Sequence, residues 1–122
     1  MRARLCIIGL LSAGCATSRV PQQLRGYDVL VEGKDEQSVE LARVMRGYGF
    51  RVRDKVRGGG RPTAALIYFT FPAAPKQSNL LHVWLADTRS GAIIGAGSVV
   101  LDSLTATPRA RAAAVIHAMI AP

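Results

Sequence analysis

Four strand-like segments follow one another between residues 50 and 101, with one helical pattern before them and one after. That order constrains the fold more than any other feature. Consecutive strands joined by short loops pair as antiparallel neighbours, and helices outside the run must cover a face of the resulting sheet. Residues 27–31 read as an opening strand. Leu41, Val44, Met45 and Tyr48 then recur at helical spacing, with Asp35 as N-cap and Gly49 as C-cap. Glu36 and Glu40 near the start of this helix, and Arg43 and Arg46 near its end, suit the macrodipole. Residues 50–56 alternate: Phe50, Val52 and Val56 face one way, and Arg51, Arg53 and Lys55 the other. Strands over 64–71, 80–87 and 92–101 follow, the last two joined by the turn Thr88-Arg89-Ser90-Gly91. Thr107-Pro108 opens a closing helix with the apolar stripe Ala112, Val115, Ile116, Met119 and Ile120. The expected fold is an α+β two-layer sandwich in the order β-α-β-β-β-β-α. Its sheet is mostly antiparallel, of about five strands, with two helices on one face.

The first residues follow a different logic. Met1-Arg2-Ala3-Arg4 is charged, residues 5–11 are apolar, and Ser12-Ala13-Gly14 is small, the order of a secretory signal. The apolar run is short of the roughly 20 residues that span a bilayer. Leu10-Leu11-Ser12-Ala13-Gly14-Cys15 resembles the lipobox of bacterial lipoproteins, with Ser12 where leucine is usual. The resemblance implies removal of residues 1–14 and a covalent lipid on Cys15, with no other cofactor. Ala16 after the cysteine, rather than Asp, implies by the same resemblance the periplasmic face of the outer membrane. The expected organisation is a signal over 1–14, a lipidated tether over 15–26 and a single periplasmic domain over 27–122.

Processing changes the composition. Cys6 leaves with the signal and Cys15 is acylated, so no thiol remains for a disulfide or a cysteine metal site. The formal charge of +8 includes Arg2 and Arg4, so +6 remains. All of it resides in residues 43–61, where seven basic residues face Asp54 alone. Arg51, Arg53 and Lys55 are therefore expected to line one strand face and to contact an anionic partner: lipid headgroups, lipopolysaccharide or an acidic protein. The competing reading is an edge strand guarded by charge.

Enzymatic chemistry finds little footing. His82 and His117 lack a second ligand at metal spacing. There is no Gly-x-Ser-x-Gly elbow. Gly58-Gly59-Gly60, flanked by Arg57 and Arg61, is followed by Pro62 and a strand, not by the helix a phosphate loop requires. Asp87 and Asp102 fall at strand ends, where turn chemistry accounts for them. Tyr68, Phe69, Phe71 and Trp84 are expected in the core; a docking surface of Trp84 with His82 on the helix-free face is the alternative.

Gly49-Phe50-Arg51-Val52 after a helix, and the hairpin Trp84-Leu85-Ala86-Asp87-Thr88-Arg89-Ser90-Gly91, resemble phrases of small α/β envelope lipoproteins. Among these are LptE, auxiliary lipoproteins of ABC transporters, domains like the amino-terminal part of TolB, and the conjugal lipoprotein TrbH. That resemblance implies a non-enzymatic accessory component docking to an envelope, secretion or transport assembly. A lipid or lipopolysaccharide carrier is the second expectation, and a small hydrolase has no supporting motif. Free nucleic acid is not a usual periplasmic partner.

Overall fold

The computed structural model describes residues 19–56, 60–72 and 79–121. The Leu10–Cys15 motif, the centre of the glycine loop (57–59) and the loop 73–78 lie outside them. Five strands form one sheet: β1 (Asp28–Leu30), β2 (Arg51–Arg53), β3 (Thr63–Pro72), β4 (Asn79–Asp87) and β5 (Ile93–Val100). Helix α1 (Glu36–Tyr48) links β1 to β2, and α2 (Pro108–Ile120) follows β5. Single 3-10 turns occupy Gln22–Leu24 and Ser103–Thr105. The α+β sandwich read from the sequence is the observed fold.

The sheet is mixed, in the order β2-β1-β3-β4-β5. The expected meander covers β3 to β5, paired antiparallel. β1 lies between β2 and β3 and runs parallel to both. The cause is the crossover: α1 carries the chain back to the end where β1 began, so β2 must run the same way.

Capping chemistry sets the helix ends. The Asp35 side chain accepts from the Ser38 amide at 3.1 Å and from the Ser38 hydroxyl at 2.7 Å, which starts α1. Gly49, at φ 108, ends it in the left-handed region that glycine enters without steric cost. Thr107 accepts from the Ala110 amide at 3.1 Å, with Pro108 at the first helical position of α2. Leu41 and Met45 of α1 and Ala112, Val115, Ile116 and Met119 of α2 are buried against Val29, Ala64, Leu81, Val83 and Leu85. Both helices thus share one face of the sheet.

Two expectations need correction. Strand β2 stops at Arg53 and does not continue to Val56, which is 55% exposed. Its only neighbour, β1, is three residues long, so the ladder ends at the Leu30–Arg53 pair. Lys55 therefore lies beyond the strand, and the three basic side chains do not form one line. The expected tether over 15–26 also does not hold for residues 19–26. Val20 and Leu24 are buried in the core, and the Arg19 amide donates to the Tyr48 carbonyl at 3.0 Å. Two apolar residues four apart in a polar stretch, folded by one 3-10 turn, close the core from below.

α2 comes closest to the sheet at Gly97. A Cβ there would stand 2.7 Å from the Met119 nitrogen and 2.9 Å from the Val115 oxygen, both backbone atoms that cannot turn aside. At Gly95 a Cβ would meet only side chains, the nearest at 3.5 Å. Gly97→Ala should therefore destabilise by roughly 1–3 kcal/mol through overpacking, and Gly95→Ala by well under about 1 kcal/mol. Urea unfolding of the two variants checks the contrast; equal costs would show that α2 does not seat on Gly97.

Asp35 couples α1 to the sheet, since the Tyr68 hydroxyl of β3 also donates to it. That bond, with those from Ser38, lowers the Asp35 pKa from 3.8 to about 2. A depressed carboxylate contributes stability that is present above its unfolded value and lost as pH falls through the folded one. The wild-type melting temperature should drop between about pH 4 and pH 2, and Asp35→Asn should flatten that part of the curve. Parallel curves for the two proteins would remove Asp35 from the acid transition.

Candidate functional site

The basic residues gather around one buried carboxylate. Asp28 opens β1 and keeps only 9% of its side chain accessible. Arg53 of β2 donates its Nε to Oδ2 at 2.7 Å, and Arg61, just ahead of β3, donates its Nε to Oδ1 at 3.1 Å. The Arg53 hydrogen bond, then the charges of both arginines, hold the Asp28 pKa below its ordinary value although burial works the other way. Arg61 also donates through Nη2 to the Arg25 carbonyl at 2.5 Å, and Arg25 donates its Nε to the Val20 carbonyl at 2.9 Å. The arginines thereby tie the entering segment to the first three strands.

Beside this network lies a surface cleft of about 250 Å³. Val20, Leu24 and Phe50 supply its apolar part, and Arg25, Arg51 and Arg61 stand around it. Arg51 is exposed and sits on β2 across from Asp28. A planar guanidinium presents parallel donors that match phosphate or carboxylate oxygens, so this arrangement suits an oxyanion next to an apolar group. Tyr27, also lining the cleft, donates its hydroxyl to Asp87 at 2.7 Å. That bond lowers the Asp87 pKa and raises that of Tyr27.

Of the three residues expected to meet an anionic partner, only Arg51 lines this cleft. Arg53 is engaged by Asp28, and Lys55 is exposed after the end of β2. Arg25 and Arg61, absent from the sequence expectation, take their places. Arg25 falls in the expected tether, and Arg61 enters only as part of the basic segment and beside the glycines whose phosphate-loop reading Pro62 argues against. Cys15 lies outside the described residues.

On the helix-free face the β3–β5 part is mostly apolar, while Asp28, Arg51 and Arg53 occupy its β1–β2 side. Phe69 stacks on His82 with ring centroids 5.3 Å apart and meets Trp84 edge-on at 5.0 Å. Ile67 and Trp84 are 44% and 39% exposed, so the expected core role does not hold for Trp84. Ile93 and Val100 extend the exposed apolar area along β5. Tyr68 points the other way, toward Asp35. Asp87 and Asp102 make turn and capping bonds, to the Arg89 amide at 2.8 Å and the Leu104 amide at 2.8 Å. His117 is exposed on α2. Among the described residues, no three His, Cys, Asp or Glu side chains group to hold a metal ion, and no helix is long and apolar enough to cross a membrane.

Compared with protein families, curated proteins and solved structures, the chain matches none. Its chemistry is read from its own residues.

The division of labour between neighbouring arginines is measurable. Arg53→Glu places a carboxylate against Asp28 and should cost roughly 1–3 kcal/mol, below the fully buried case because Arg53 is one-third exposed. Arg51→Glu should stay within about 0.5 kcal/mol. Chemical denaturation of both proteins decides; equal stabilities would mean that Arg53 is as free as Arg51.

Proposed function

We propose that this protein is a non-enzymatic lipoprotein, held through a lipid on Cys15 at the periplasmic face of the outer membrane, and that it docks to a larger envelope assembly. The observation that carries the anchor is the sequence Leu10-Leu11-Ser12-Ala13-Gly14-Cys15 behind a charged and apolar start. The short spacing supports it, because Arg19, four positions after Cys15, is already held to the domain through its amide bond to the Tyr48 carbonyl.

Docking is supported by the open face of the sheet. Ile67, Phe69, Trp84 and Val100 gather with His82 on its β3–β5 part, away from Asp28, Arg51 and Arg53 on the β1–β2 side. Such a surface fits an apolar protein surface whose polar groups lie at the rim. Exposed apolar area of this kind marks interaction sites more often than it marks empty surface. A carrier of lipid or lipopolysaccharide requires acyl chains to enter an apolar groove; an open sheet face suits docking better.

A photoreactive amino acid at Ile67 or Trp84, with one at Arg109 on α2 as control, tests this reading in cells labelled with radioactive palmitate. The wild type should take up label and Cys15→Ala should not. Positions 67 and 84 should capture the same envelope protein, and position 109 should not. Equal palmitate uptake by both proteins would overturn the anchor. Adducts with lipid or lipopolysaccharide in place of protein would turn the assignment to a carrier.

A further inference from the structure

Strand direction gathers arginines at one end of the domain. β1, β2 and β3 begin at one end, where the β4–β5 turn and the last residues of both helices also lie. Arg19, Arg25, Arg51, Arg61 and Arg89 belong to this end. Its two carboxylates are already engaged, Asp28 by Arg53 and Arg61 and Asp87 by Tyr27 and Arg89. Among the described residues, the far end carries Glu32, Asp35, Glu36, Asp54 and Asp102 against Lys34, Lys55, Arg109 and Arg111, the last donating to the Thr105 carbonyl at 2.8 Å. Among the described residues, the excess of positive charge therefore gathers at one end of the domain, and the other end is close to balanced.

The chain enters the domain at the basic end. Arg19 is held there by its amide bond to Tyr48 and by its guanidinium, 4.5 Å above the Tyr48 ring. Three residues separate Arg19 from Cys15, so the two are within about 14 Å of each other even at full extension. Resting on the anchor proposed above, we infer that this arginine end is a membrane-contact surface, which seats headgroup phosphates of anionic glycerophospholipids and holds the domain upright with its opposite end outward. Two independent features support it: the short leash and the charge complementarity. The leash keeps the arginines close to the headgroup plane, at separations comparable with the ~8–10 Å screening length, where attraction survives physiological salt. Arg51 is exposed and oriented by β2, and Arg25 and Arg61 are fixed by hydrogen bonds to the Val20 and Arg25 carbonyls. The cleft between them receives a phosphate, over a floor of the buried Val20, Leu24 and Phe50. This orientation leaves the aromatic sheet face lateral, free for a protein partner.

The test reads orientation, since a lipidated protein enters any bilayer. The lipidated chain is reconstituted into nanodiscs of phosphatidylcholine alone or mixed with phosphatidylglycerol. A fluorophore sits on a single introduced thiol, either at Gln22 in the basic end or at Ser103 in the far end, and a headgroup-spin-labelled lipid quenches it. In phosphatidylglycerol discs the Gln22 label should be quenched well beyond the Ser103 label. The difference should shrink in neutral discs and in high salt. Arg51→Glu should lower the ratio of seated to lifted domains by several-fold, about five-fold for each charge lost near the surface, and Arg51→Lys should restore most of it. Palmitate uptake is followed in the same preparations. A chain that takes up no palmitate overturns the anchor and this orientation with it. A palmitoylated chain with equal quenching at both sites, or with a contrast indifferent to phosphatidylglycerol and salt, overturns the orientation alone and leaves the arginine end to an acidic protein.

Discussion

The architecture depends on a single carboxylate at the start of an interior strand. Asp28 accepts from Arg53, 25 residues away, and from Arg61, 33 residues away, each belonging to a different neighbour of β1. A parallel ladder of three residue pairs on either side offers little pairing energy of its own. A buried charge without a partner is costly, so the arrangement that satisfies Asp28 also aligns β2 and β3. The antiparallel half needs no such device, because the β3–β4 and β4–β5 ladders are long and joined in sequence order.

The same carboxylate explains why an excess of arginine does not push this end of the domain apart. Asp28 balances one of the two charges on Arg53 and Arg61 while bonding to both, and a third cation, Arg25, satisfies a backbone carbonyl. What remains outward is a small set of oriented guanidinium groups beside an apolar cleft. Charge that looks surplus in composition is thus divided between holding the sheet together and facing outward, and adjacent positions on β2 fall on different sides of that division.

The two faces of the sheet follow a comparable division. One is sealed by α1 and α2, with α2 brought so close that Gly97 has no room for a side chain. The other carries aromatic side chains that stack on each other and remain partly open. Two helices of 13 residues cover one face of a five-stranded sheet and no more, so the aromatic density of β3 and β4 could not all be internal.

The sequence by itself determined the order of elements, the helix caps at Asp35, Gly49 and Thr107, the glycine turn before β5 and the alternation of apolar residues. These rest on interactions within a few residues, which local spacing records. It also revealed that basic charge is concentrated, without revealing which charges are spent. Only the tertiary structure decided the place of β1 between β2 and β3, the end of β2 at Arg53, the burial of Val20 and Leu24, the separate fates of Arg51 and Arg53, and the cleft formed with Arg25 and Arg61. Each of these depends on a neighbour brought from far along the chain. Whether a side chain is partnered, crowded or open is a property of what the fold places beside it, and periodicity carries no information about that neighbour.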